Sequence, residues 1–126
     1  MMDRVQILVG NEPRLYREVL AEAIRFLRPD LAVAVTDPNN IDCVVANHDS
    51  QIVVCSHLTD IVLAEALAWI QLYPENRNLA IVGRGGQQTC LAAVELADIL
   101  AVVDLLVTQL GNEPTSTPGR NEMRAG

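Results

Sequence analysis

An alternation of short apolar runs with amphipathic segments limits this chain to few architectures. Residues 5–9 are mostly apolar, which is typical of a strand buried on both faces. Pro13 follows and suits the first position of a helix, which Asn11 or Glu12 is expected to cap. Apolar residues then recur at helical spacing at Leu15, Val19, Leu20, Ala23, Ile24 and Leu27. This order predicts the opening of a βαβ unit.

The same alternation continues along the chain. Further strands are predicted over residues 31–36, 52–55 and 68–73. Short helices are predicted over residues 41–46 and 59–67, and Thr59 is expected to cap the second of them. Together with the first unit, these segments predict an α/β domain with a mostly parallel sheet.

One short connection breaks the parallel pattern. Only residues 74–78 separate the strand at 68–73 from a strand-like run at 79–82. A parallel neighbour needs a crossover of about a dozen residues, so we expect an antiparallel hairpin at one edge of the sheet, near residues 68–82. Gly83, Gly85 and Gly86 indicate a bend or bulge, and a last amphipathic helix is predicted over residues 94–110.

Length and composition favour one domain. The chain has 126 residues, half of them hydrophobic, which suffices for a single core. We expect this domain over residues 1–111 and a disordered tail over 112–126. No apolar stretch reaches the ~18 residues of a membrane span, and no secretory signal is expected at the start. Three widely spaced cysteines without Cys-x-x-Cys spacing favour a reducing, cytoplasmic location.

The basic residues exclude several chemistries. All nine are arginines, so mechanisms that need a lysine, such as a Schiff base or a Walker-type phosphate loop, are excluded. The net charge is −7, and nucleic acid is not expected as a partner because phosphate contacts need clustered cations. Arg14, Arg17, Arg25 and Arg28 share the first predicted helix with acids, which predicts a solvated, salt-bridged face.

The segment Gly10-Asn11-Glu12-Pro13, followed by Leu15, Arg17 and Glu18, resembles response-regulator receiver domains. Receivers commonly have Asp-Asp-Glu-Pro between the first strand and the first helix. The resemblance covers roughly residues 4–58, weakens to about 73 and fails beyond. It implies a three-layer α/β/α fold of the flavodoxin/receiver type, in which the hairpin near 68–82 removes the fourth helix.

The phosphorylation chemistry of receivers is missing from the matching positions. The acid pair that binds Mg²⁺ becomes Gly10 and Asn11, and the phosphoacceptor aspartate becomes Ser56. The hydroxyl position falls on Tyr73, and no lysine is present. An amide beside a glycine is a poor site for Mg²⁺, and a serine does not form an acyl phosphate. The resemblance therefore implies a pseudo-receiver that is not an enzyme, holds no metal or cofactor, and signals through contact with an unknown protein partner.

A rival hypothesis places a ligand at the carboxyl ends of the strands. Asn11, Glu12, Ser56, His57 and Thr59 should converge on one rim there, since both loops leave neighbouring strands. This rim could bind a small molecule, or Cys55 or Ser56 could act as a nucleophile near His57 in a hydrolytic protein. The ordinary interpretation of the same residues is a polar strand end.

Two elements supply candidate interface residues. Trp69 and Tyr73 belong to the hairpin, and Tyr and Trp are favoured interface anchors, although core packing also explains Trp69. Arg84 could reach an acidic partner. The last helix is apolar around more than one face, with Ile99, Val103 and Leu106 among its apolar residues. It is either buried on two sides or the seam of a homodimer, and we favour the dimer.

Overall fold

A computed structural model describes residues 5–47, 51–74, 77–92 and 94–112, with backbone alone at 111 and 112. These residues form an α/β domain with one six-stranded mixed sheet in the order β2-β1-β3-β4-β5-β6. The strands are β1 (Gln6–Val9), β2 (Ala32–Val35), β3 (Gln51–Cys55), β4 (Ala68–Leu72), β5 (Leu79–Arg84) and β6 (Gln87–Ala92). The helices are α1 (Arg14–Leu27), α2 (Ile41–Asn47), α3 (Asp60–Glu65) and α4 (Leu96–Asn112), and a 3-10 turn at Pro38–Asn40 precedes α2.

The parallel half of the sheet confirms the predicted strands and short helices. β1 pairs with β2 and with β3, and β3 pairs with β4, all in parallel. The carboxyl ends of β1, β3 and β4 therefore meet at one edge of the sheet. The Thr59 hydroxyl accepts a hydrogen bond from the Val62 amide and caps α3 as predicted.

The antiparallel half confirms the hairpin but corrects its position. β4 pairs antiparallel with β5, yet neither strand lies at the edge, because β5 pairs onward with β6. The sequence analysis did not predict β6, and it assigned Gly83, Gly85 and Gly86 to a bend or bulge. Gly85 and Gly86 have φ of +59° and +85° and instead form a two-residue turn of the kind that closes tight hairpins.

Helices cover both faces of the sheet, and the strands alternate their side chains between the two. Ile7 and Val9 of β1 point to the face covered by α1 and α4, whereas Leu8 points to the face covered by α2 and α3. The helices bury Leu20, Ala21, Ile24, Ile99, Val103 and Leu106 on the first face and Ile41, Val45 and Val62 on the second. All five residues of β3 are buried, as expected for a central strand.

The first helix corrects three expectations. It begins after Pro13, which forms its N-cap without a side-chain hydrogen bond, so neither Asn11 nor Glu12 caps it. Its buried face contains Arg17, Leu20, Ala21 and Ile24. Arg17 therefore does not belong to the predicted solvated face. Leu15, which was predicted to face the core, is 72 % exposed.

Two further predictions were a disordered tail over residues 112–126 and the lack of a membrane-spanning segment. The predicted tail lies outside the described residues except for Asn112, which ends α4. None of the helices in the described residues combines the length and the apolar composition needed to cross a lipid bilayer.

Candidate functional site at the carboxyl edge of the parallel strands

The loops after β1 and β3 meet directly, as predicted for the rim. The backbone amide of Glu12 donates a hydrogen bond of 2.8 Å to Ser56 Oγ. The amide of Gly10 donates to the Val54 carbonyl at 2.8 Å, which holds the ends of the two strands together. His57 Nε2 lies 3.8 Å from Glu12 Oε1, and both side chains are largely exposed. Glu12, Ser56 and His57 thus form one polar group at the surface.

A pair of tyrosines closes the rim on the side of α1. Tyr16 and Tyr73 share a hydroxyl–hydroxyl hydrogen bond of 2.9 Å, and their ring centroids are 5.6 Å apart. Burial and this hydrogen bond raise the pKa of Tyr16 well above its usual range. Tyr73 has a φ of +52°, in the left-handed region that side-chain-bearing residues rarely adopt, and its amide donates to the Leu79 carbonyl. The backbone strain at Tyr73 is therefore located beside the rim.

The tyrosines and the polar group enclose an open cleft of about 670 Å³. Its lining comprises Glu12, Pro13, Tyr16, Ser56, His57, Tyr73 and Asn78. A second cleft of about 610 Å³ shares Ser56 and His57 and continues over β4, β5 and β6. Ser56 and His57 therefore lie between two concave surfaces that are large enough for a small molecule.

Two predicted rim residues lie elsewhere. Asn11 is fully buried beneath the rim, and neither polar atom of its side chain has a hydrogen-bond partner among the described residues. Its carbonyl accepts from Arg17, which also lies 3.7 Å from Asp37. Thr59 donates a hydrogen bond of 2.6 Å to Asp42 and belongs to the packing of α3 against α2. The expectation that Asn11 and Thr59 face a ligand at the rim is therefore corrected.

The geometry of the rim does not assemble a nucleophile with its base. The Cys55 thiol is fully buried, and burial raises its pKa to about 12, which keeps it protonated at neutral pH. Ser56 Oγ accepts from Glu12, and within the part of the chain that the structure describes no hydrogen bond joins Ser56 or Cys55 to His57. Over the same residues, no three His, Cys, Asp or Glu side chains cluster closely enough to hold a metal ion. Among the described residues, the rim therefore contains no preformed pair of nucleophile and base.

The predicted interface residues are mostly interior. Trp69, Ile99, Val103 and Leu106 are at most 5 % exposed and pack in the core, so they offer no surface to a partner in this fold. Tyr73 and Arg84 are half-buried, the first at the rim and the second beside the turn between β5 and β6. These three α4 residues face the core, whereas Leu105 on another side of the helix is 56 % exposed, so α4 is not buried on two sides. The homodimer seam stays a prediction.

Sequence reasoning missed Tyr16 and Asn78 as rim residues. Tyr16 follows Pro13 by three residues, and this spacing near the start of α1 could have indicated its place above the carboxyl ends of the strands.

Comparisons with protein-family models, with curated protein sequences and with solved structures found no match for this chain.

Proposed function

We propose that the chain is a receiver-like module that works by contact with another protein and does not use a phosphorylation switch. Two features support the fold part of this proposal. The parallel order β2-β1-β3-β4 and the helices on both faces suit a flavodoxin-like arrangement, and no helix separates β4 from β5 in the described residues. The antiparallel strands β5 and β6 are a departure from that pattern.

The rim supports the part of the proposal that concerns phosphorylation. The position of the phosphoacceptor is Ser56, whose Oγ already accepts the Glu12 amide. At the position of the acid pair, Gly10 has no side chain and Asn11 is buried as a neutral amide. Phosphoryl transfer relies on a metal ion and a cation to neutralise developing charge, and these residues supply neither carboxylate pair nor lysine.

An exposed apolar face of α1 carries the proposal that the module acts through protein contact. Leu15, Val19 and Phe26 are 72 %, 56 % and 83 % exposed, and their spacing of four and seven residues places them on one side of the helix. Burying one such side chain contributes about 1.5–3 kcal/mol. Contact with this face can therefore stabilise a complex by more than contact with an exposed polar surface.

The charges beside this face favour an apolar partner surface. Arg14 and Glu18 form an ion pair of 2.9 Å, and Glu22, which lies between Val19 and Phe26 on the same side of the helix, forms one of 2.8 Å with Arg25. Because the flanking charges are already paired, the face carries little net charge in a chain of net charge −7. We therefore identify the partner as a protein with an exposed apolar patch rather than a strongly charged one.

Affinity capture with three variants tests the contact function. Phe26→Glu should lose a partner protein that the wild-type chain retains, because a carboxylate then faces the apolar patch. Leu63→Glu is the matched control, since Leu63 is 49 % exposed on α3. The double variant Ser56→Ala, His57→Ala should also retain the partner. Capture that is unchanged by Phe26→Glu, or no protein captured by the wild type, would overturn the proposal.

Incubation with Mg²⁺ and acetyl phosphate tests the phosphorylation part separately. The intact mass should remain that of the unmodified chain, because a serine at position 56 gives no acyl phosphate. A stable phosphoprotein, located by peptide mapping, would contradict the pseudo-receiver hypothesis whatever the capture experiment shows.

A second candidate function is the binding of a small molecule at the rim, and the cleft of about 670 Å³ favours it. Glu12, Ser56, His57 and the two tyrosines supply polar groups around a partly aromatic wall. Under this hypothesis the Ser56→Ala, His57→Ala variant loses all function while its circular dichroism spectrum and melting temperature stay unchanged. A rim variant that keeps full function would reject the small-molecule candidate.

A further inference from the structure

β6 is an open edge strand, and the turn before it fixes which of its backbone groups point outward. Arg84 and Gln87 flank the two-residue turn and so exchange hydrogen bonds with each other. Paired residues then alternate, and Thr89 and Leu91 also direct their backbone groups toward β5. The amides and carbonyls of Gln88, Cys90 and Ala92 therefore point away from the sheet, and no described strand pairs with them.

β6 lacks the features that usually prevent an edge strand from pairing with another strand. The sequence of β6, Gln-Gln-Thr-Cys-Leu-Ala, contains no charge and no proline, and every side chain except Leu91 is exposed. Natural edge strands are normally blunted by charges, proline or covering groups. On the opposite edge, Arg25 Nη2 donates to the Val33 carbonyl of β2 at 3.1 Å, so a charged side chain occupies one of its backbone acceptors. β6 has six residues against four in β2 and carries no such charge, so it is the edge more open to pairing.

A stripe on α4 runs beside the open edge. Asp98, Ala101, Val102 and Leu105 recur at intervals of three, four and seven residues and, with Leu91 and Ala92, line a groove of about 300 Å³. Leu105 is 56 % exposed there. The edge and the groove are contiguous, so a partner strand on β6 would bring its own chain over this stripe.

We propose that two copies of the chain pair antiparallel through β6 and form one continuous sheet of twelve strands. A two-fold axis at Cys90 pairs Cys90 with its counterpart and Gln88 with Ala92 of the second copy. This register pairs all three outward-facing residues of each strand, whereas a shift by two residues leaves some of them unpaired. The same axis places the α4 helices of both copies on one face of the joined sheet, with the exposed Leu105 stripes beside the new strand pair.

The self-complementary register favours a second copy as the occupant, and charge at this edge does not oppose it. The chain has a net charge of −7, so self-association requires a surface on which like charges do not face each other. β6 offers six uncharged residues, and antiparallel helices place Asp98 of one copy beside the uncharged 105–109 end of the other. The inference concerns a different surface from α1 and holds whether or not α1 binds a partner.

Mass measurement by light scattering tests the edge pairing. At high micromolar concentration the wild type should have twice the 13.7 kDa mass of the chain. Gln88→Pro removes an outward amide and no hydrogen bond to β5, and Cys90→Asp sets two carboxylates opposite each other. Both variants should have the mass of one chain with unchanged circular dichroism, whereas Phe26→Glu should remain a dimer. If Gln88→Pro fails to fold, Cys90→Asp decides.

Cross-linking gives an independent measurement of the register. A short bismaleimide should join two wild-type chains and two Cys43→Ser chains through Cys90, since Cys43 is the other exposed thiol. Cys90→Ser should give no covalent dimer. A monomeric wild type, a dimer that both edge variants leave intact, a dimer lost only in Phe26→Glu, or cross-links that need Cys43 would each overturn the proposal.

Discussion

The indole of Trp69 covers the backbone of Gly83, its partner in the antiparallel register of β4 and β5. A Cβ atom on residue 83 would overlap the six-membered part of the ring, and Trp69 is only 5 % exposed. The glycine is therefore needed for space, because no larger residue fits beneath the ring while Trp69 stays in the core.

We expect Gly83→Ala to lower the free energy of unfolding by about 1–3 kcal/mol, as overpacking of a core does. Urea denaturation followed by circular dichroism measures the change. In a Trp69→Leu background the cost of Gly83→Ala should shrink, since the shorter side chain leaves room for the methyl group. Equal costs in both backgrounds would show that the contact is not responsible.

Burial and the hydroxyl pair with Tyr73 predict that Tyr16 titrates late. The raised pKa of Tyr16 means that one of the chain's two tyrosines should stay protonated well above pH 10, which absorbance at 295 nm measures. Because the folded pKa lies above the unfolded one, the stabilisation is complete below about pH 10 and is lost as the pH rises further. Complete titration of the phenol absorbance near pH 10 would contradict a buried, hydrogen-bonded Tyr16 hydroxyl.

Substitution of Tyr16 separates the hydroxyl from the ring. Tyr16→Phe removes the 2.9 Å hydrogen bond and should lower the free energy of unfolding by about 0.5–1.5 kcal/mol. Tyr73→Phe is the matched variant, since it removes the same bond from the other side. The double variant should cost no more than about the larger of the two single changes; additive costs would mean that the hydroxyls act separately.

The thiols predict a sharp difference in reactivity. With a pKa of about 12, Cys55 is ionised to about one part in ten thousand at pH 8, and its side chain is fully buried. Iodoacetamide should therefore modify the exposed Cys43 in the folded protein and spare Cys55, whereas urea should make both reactive. Peptide mapping by mass spectrometry measures this. Modification of Cys55 at the rate of Cys43 would reopen a nucleophilic role for it.

Local patterns predicted the parallel strands and the hairpin because these depend on short-range signals. The six residues between β4 and β5 allow only an antiparallel turn, and the fully apolar Ile52 to Cys55 run suits only a central strand. β6 was missed because Gln-Gln-Thr-Cys-Leu-Ala has neither alternation nor β-branched enrichment. The glycine pair at 85 and 86 was the available hairpin signal.

The exposed face of α1 could not be predicted from periodicity. The helix has apolar residues around much of its circumference, so Leu15 and Val19 fit a buried stripe as well as Leu20 and Ile24 do. The sheet beneath α1 selects the face that contains Leu20 and Ile24, and Arg17 enters it because its guanidinium reaches the Asn11 carbonyl and Asp37. In the site, by contrast, the loop residues Glu12, Ser56 and His57 were predictable from the strand ends. Tyr16 was missed, although its place three residues after Pro13 was the available signal.

A two-point ion pair joins the end of α1 to α4 and predicts a pH dependence. Arg28 Nε and Nη2 donate to the two carboxylate oxygens of Asp104 at 2.7 and 2.6 Å. These hydrogen bonds hold the pKa of Asp104 below its usual value. Because the folded pKa is lowered, the stabilisation is present above the unfolded value of about 3.9 and is lost as the pH falls through the folded one.

Asp104→Asn should therefore lower the melting temperature by about a few degrees at pH 7 and by less near pH 3, because below about pH 3.9 the unfolded wild-type chain binds a proton that the paired carboxylate binds only at lower pH. Both partners are partly exposed, so salt should weaken the difference at pH 7 as well. Glu65→Gln, on the exposed end of α3, is the control for removing one negative charge and should change the melting temperature little. A difference between wild type and Asp104→Asn that is the same at pH 3 and pH 7 would show that packing of the side chain, rather than its charge, joins α1 to α4.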